Sequence, residues 1–149
     1  MSAEHNATSH EIPDWVEEVS PHLITLQLPP LAPKILCRDS IAQGLKAAAK
    51  SRHQKGEWWI WSFSVLPDSV LALISFSADT TTQMSIANWK RFTQRTTKTN
   101  WKPGFKEKPI DDQEALDTAA AFIKASPAEN GLCEPDEAWP QYWVSDDFA

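Results

Sequence analysis

The sequence predicts an α+β domain: a central antiparallel β-hairpin or sheet packed by two or three amphipathic helices, followed by an acidic aromatic C-terminal segment. Three observations carry that prediction. Two adjacent β-type runs stand near the middle of the chain, helical periodicity brackets them, and no alternating βαβ pattern is present. With 149 residues, 42% of them apolar, the chain can bury one core. Residues 1–10 read as a mobile acidic tail, 11–127 as a single α+β domain, and 128–149 as an acidic, Trp-rich segment.

The β-runs are 57–65, Glu-Trp-Trp-Ile-Trp-Ser-Phe-Ser-Val, and 70–76, Val-Leu-Ala-Leu-Ile-Ser-Phe. Pro67, Asp68 and Ser69 between them read as a turn, so the pair is predicted to be an antiparallel hairpin. Strict alternation would set Trp59, Trp61, Phe63 and Val65 on one side, and Trp58, Ile60, Ser62 and Ser64 on the other. Residues 22–28 also alternate and predict a half-buried strand, which Pro29, Pro30 and Pro33 end.

Helical spacing appears in four places. Pro13 can open a short helical turn containing Trp15, Val16 and Val19. Ser40 as N-cap and Gln43 as its capping-box partner predict a helix over 41–51, with Ile41, Leu45, Ala48 and Ala49 inside and Gly44 as a local cost. Ser85 can cap a helix with Ile86, Trp89 and Phe92 on its inner face. Asp111 and Glu114 open a last helix over 111–125, which Ser126-Pro127 should stop.

The net charge of −6 conceals segregation. Residues 1–33 carry five acids and no Lys or Arg. Residues 34–108 carry thirteen Lys and Arg against five acids, and 109–149 carry ten acids against Lys124 alone. Within the basic block, Arg91, Arg95, Lys98 and Lys102 fall on one stripe if the helix reaches that far, and Lys106 and Lys108 follow. Trp101 and Phe105 flank Pro103-Gly104. Cations that neutralise phosphates beside rings that stack on bases are what single-stranded nucleic acid requires. Arg91, Arg95, Lys98, Trp101, Lys102, Phe105 and Lys106 are therefore the candidate nucleic-acid or partner-binding residues. The competing reading is that Trp89 and Phe92 are core and the cations merely solvated.

From Glu134 onward, acids alternate with Trp139, Tyr142, Trp143 and Phe148. These four aromatics are read as a candidate docking segment that could cover the basic surface or a partner's groove, or else as rings pinned over the domain's own core. Eight tryptophans exceed what a core of this size usually takes.

Other chemistry lacks a signature. Cys37 and Cys133 are predicted to be unpaired thiols. His5, His10, His22 and His53 show no metal-ligand spacing, no Gly-rich phosphate loop exists, and no catalytic, metal or cofactor-binding residue and no cofactor is assigned. No run is long enough to span a membrane. The sequence expectation is a cytoplasmic, non-enzymatic binding or regulatory protein. Its partner is single-stranded nucleic acid or a nucleic-acid-associated protein, with acidic termini modulating the contact. The alternatives are an acidic inhibitor or immunity-type protein that blocks a basic protein partner, and a small enzyme with an unrecognised site.

Overall fold

The computed structural model describes residues 11–149, so the N-terminal tail lies outside the described residues. The elements run α1 (Asp14–Glu17), β1 (Pro21–Gln27), α2 (Asp39–Gln54), β2 (Trp58–Leu66), β3 (Ser69–Phe76), α3 (Thr82–Thr97), β4 (Lys106–Pro109), α4 (Gln113–Glu129) and β5 (Tyr142–Val144), with a closing 3₁₀ turn at Ser145–Phe148. The five strands form one antiparallel sheet in the order β4-β1-β3-β2-β5. This is the α+β architecture expected, with the β2–β3 hairpin near its centre and Leu66 paired with Ser69 across Pro67-Asp68.

Helices cover both faces of the sheet. Under α2 and α3 lies the larger core, built from Ile24, Leu26, Leu45, Ala49, Trp58, Ile60, Phe63, Ile74, Trp89 and their neighbours. Under α4 lies a smaller one of Leu66, Leu71, Leu73, Ile110, Ala119 and Ile123. The expected alternation in β2 fails at one point. The pairing with β3 shifts between Ile60 and Ser62, a bulge that leaves Trp61 without a cross-strand partner. Trp58 and Ile60 therefore share the larger core with Phe63 and Val65, while Trp61 packs against the smaller one.

Helix boundaries also moved, each for a local reason. Arg38, not Ser40, precedes α2, and no side chain caps it. Gly44 is a packing residue: a Cβ there would stand 2.6 Å from Thr97 Cγ2 of α3, so the glycine lets the two helices approach. Thr81 caps α3 by accepting from the Met84 amide at 3.1 Å. Asp112 caps α4 by accepting from the Ala115 amide at 2.8 Å. Pro127 does not stop α4. It falls in the last turn, where the Ser126 carbonyl still accepts from Asn130 N–H at 3.0 Å and the Pro127 carbonyl from Leu132 N–H at 2.9 Å. Strand β4 had no sequence signature; its Lys-Glu-Lys-Pro is an edge strand made by pairing with β1.

The C-terminal segment takes the second of its two expected forms, rings pinned over the domain's own core. Trp143 and Phe148 are buried in the larger core, Tyr142 packs against the smaller one, and Trp139 Nε1–H donates to the Val65 carbonyl at 2.8 Å. Strand β5 pairs with β2 at the sheet edge opposite β4. A segment woven into the sheet there cannot lie over the Trp101 loop, so the candidate docking residues Trp139, Tyr142, Trp143 and Phe148 are structural. The surplus tryptophans are absorbed in the same way: no described Trp is fully exposed.

Candidate nucleic-acid interface

The sheet sorts the charge. Helices α2 and α3 carry Lys46, Lys50, Arg52, Lys90, Arg91 and Arg95 against Asp39 alone. Across the sheet, α1 and α4 carry Asp14, Glu17, Glu114, Asp117 and Glu129 against Lys124 alone. The helical charges thus fall on opposite faces, although Lys106 and Lys108 of the basic block lie on the α4 side and the Asp146-Asp147 turn of the acidic block packs through Phe148 against the α2–α3 core. A cluster of one sign raises the local concentration of counter-charged ligand.

Of the candidate cations, Arg91, Arg95, Lys98, Lys102 and Lys106 are all exposed, but they do not form one helical stripe. The helix stops at Thr97, and Lys98 takes the left-handed conformation, φ 63°, that terminates it. Threonines in the last turn direct their hydroxyls to carbonyls of the turn before, Thr96 to Phe92 at 2.9 Å and Thr97 to Thr93 at 2.7 Å. Lys102 lies in the following extended segment and donates its backbone N–H to the Gln27 carbonyl at 2.9 Å. Lys106 and Lys108 pair with Thr25 and Leu23, which puts both on the α4 side of the sheet. Arg91, Arg95 and Lys98 remain as the coherent group on α3.

The two rings expected to stack are corrected by their burial. Trp101 is 7% exposed, its ring 5.7 Å from that of Trp89, and its Nε1–H donates to the Thr93 hydroxyl at 2.9 Å. Phe105 is half-buried against the same core. The 101–105 loop is tied down by Lys90, whose ammonium donates to the Lys102 and Gly104 carbonyls at 2.9 and 2.8 Å. These two bonds commit the ammonium to the loop rather than the surface, and partial burial lowers its pKa.

Sequence reading missed Arg52 and took Phe92 for a core residue alone. The half-buried Phe92 ring has the Arg52 guanidinium 5.1 Å from its centroid and the Arg95 guanidinium at 5.4 Å. Burial lowers the Arg52 pKa, which the charge of Glu57 partly restores. No sequence signal links Arg52 to Arg95, because they come from different helices.

Other reactive groups are sparse. Cys37 and Cys133 are free thiols, and burial beside Asp68 pushes Cys37 up to about 11. The single tyrosine, Tyr142, is half-buried, and burial together with Asp147 raises its hydroxyl. Among the described residues no three His, Cys, Asp or Glu gather to hold a metal ion, and no helix is long and apolar enough to cross a membrane. Two open clefts flank the start of α4, one of about 520 Å³ beside Trp61, Ile110 and Asp111, the other of about 590 Å³ beside Leu23, Lys108 and Phe122.

The fold class is thus an antiparallel sheet with helices on both faces and a basic surface on one of them. No family model and no curated protein matches the sequence. Among solved structures, the chain is similar to the REP-associated tyrosine transposase bound to a REP hairpin, at 17% identity over 89% of this chain and 81% of that one, with TM-score 0.72. It is also similar to a protein described as a candidate transposase from Deinococcus radiodurans R1, at 14% identity over 76% of this chain and 95% of that one, with TM-score 0.51. At these identities the likeness is one of fold. It nevertheless corrects the expectation of a non-enzymatic protein: that expectation rested on missing motifs, and the fold found is one used by transposases, which are enzymes.

Proposed function

We propose that this protein binds hairpin DNA, taking the phosphate backbone of the stem on its α2–α3 face, within the kind of strand-processing role that transposases perform. The sorting of charge by the sheet carries this reading, because it gathers Arg52, Arg91, Arg95 and Lys98 on one side of the molecule. The bound REP hairpin of the transposase with the same fold supports a folded ligand. Burial of Trp101 supports it too. A site for unpaired bases needs open rings, whereas a duplex stem needs cations alone. The C-terminal segment that would have served a protein inhibitor is part of the sheet, so the inhibitor reading loses its support. Strand cleavage belongs to the reading as the reaction class. Tyr142, the one tyrosine of the sequence, packs on the α4 side of the sheet, away from these cations, and burial together with Asp147 raises its hydroxyl, so it is poorly placed as the nucleophile for a strand held there.

Fluorescence anisotropy of a labelled hairpin, its blunt duplex stem and an unstructured strand tests the binding. Between about 50 and 200 mM salt, log affinity for the hairpin should fall against log salt with a slope of about −3. Arg91→Glu with Lys98→Glu should abolish binding, while Glu114→Lys with Asp117→Lys should not weaken it. Preference for the unstructured strand, or no hairpin binding at low salt, overturns the reading. Gels of the same mixtures with a divalent cation, for wild type and Tyr142→Phe, read cleavage.

A further inference from the structure

We propose that Arg52 and Arg95, set against the ring of Phe92, form a two-guanidinium clamp for one phosphate group of the bound nucleic acid. The inference rests on the binding reading above and names a specific contact within it. Arg52 comes from the last turn of α2 and Arg95 from the last turn of α3, and both guanidiniums lie within cation–π range of one ring.

Three features make this a clamp rather than two solvated side chains. First, Arg52 is already ordered: its Nη1 donates to the Ala48 carbonyl at 3.1 Å, one turn back, and the side chain is half-buried. A guanidinium fixed along one edge presents its remaining N–H groups without further loss of side-chain freedom. Second, both cations stand at one ring, and the carboxylate whose charge bears on Arg52, that of Glu57, offsets only one of the two, so the pair keeps a net positive charge that an anion can meet. Third, the guanidinium is planar and addresses two phosphate oxygens at once, a geometry that an ammonium cannot reproduce. Phe92 serves as the positioning residue, since its ring sets where both forks stand.

The test separates geometry from charge. Arg52→Lys and Arg95→Lys keep the charge and lose the fork, so each should weaken hairpin affinity about tenfold while leaving the salt slope unchanged. Arg52→Gln and Arg95→Gln should each also reduce the slope by about one. Phe92→Leu keeps apolar bulk, removes the ring, and should weaken binding as the lysine variants do. Lys124→Gln, on the exposed face of α4 across the sheet, should stay within about twofold of wild type. Thermal melts by circular dichroism confirm that each variant is folded. Wild-type binding with Arg52→Lys and Arg95→Lys unchanged overturns the clamp alone. A wild-type protein that binds no hairpin overturns both the clamp and the binding reading.

Discussion

The two faces of the sheet differ in packing as well as in charge. The α2–α3 side buries seven of the aromatic rings, Trp58, Phe63, Phe76, Trp89, Trp101, Trp143 and Phe148, in one continuous core. The α4 side buries aliphatic residues only, and it leaves Phe122 52% exposed beside open clefts. The cations therefore stand over the larger, aromatic core, and a charged side chain anchored on a well-packed helix loses less freedom when it meets its ligand. The acidic side, less completely covered, offers volume rather than a fixed array of charge.

The largest effect expected from this contrast is in stability. Trp89→Ala should cost about 4 kcal/mol or more, because Trp89 touches Trp58, Phe63 and Trp101 and the hole cannot close. Ile123→Ala, equally buried but in the smaller core, should cost about 2–3 kcal/mol. Urea denaturation measures both. Equal losses would remove the distinction between the faces.

A smaller effect sharpens the account of the α2–α3 platform. Helix propensity alone predicts that Gly44→Ala stabilises α2 by about 1 kcal/mol. The structure predicts the opposite sign, a loss of about 1–2 kcal/mol, because the new Cβ meets Thr97 Cγ2. That methyl cannot swing away, since Thr97 Oγ1 is held by the Thr93 carbonyl and by Thr99 Oγ1, each at 2.7 Å. Adding Thr97→Ser removes the methyl, keeps the hydroxyl, and should restore the lost stability in a thermal melt.

The smallest effect is at Lys98. A glycine suits its left-handed backbone better, so Lys98→Gly should raise stability by about 0.5 kcal/mol while lowering the salt slope of hairpin binding by about one. A variant that gains stability and leaves the slope unchanged would remove Lys98 from the interface.

Much of the fold was legible along the chain. Alternation in 22–28 and the paired runs about Pro67-Asp68 identified β1, β2 and β3, and helical spacing with capping-box starts identified α2 and α4. What escaped had no local cause to read. Strand β4 is polar and exists because β1 offers an open edge. The bulge at Trp61 turns a simple alternation into two half-patterns, because one extra residue reverses every side chain beyond it. Of the candidate site, the exposed cations of α3 were legible from charge. Trp101 was misplaced because a Pro-Gly turn beside it looks like a surface loop until Lys90 and Thr93 bind it down.

The sequence by itself determined which residues carry charge, where the hairpin turns, and that one core was affordable, since these depend on composition and on neighbours a few residues apart. Only the tertiary structure decided which charges share a face, that the C-terminal aromatics complete the sheet, and that Arg52 and Arg95 meet at Phe92. Those are contacts between segments distant in the chain, set by strand order and helix crossing, and local periodicity carries no record of either.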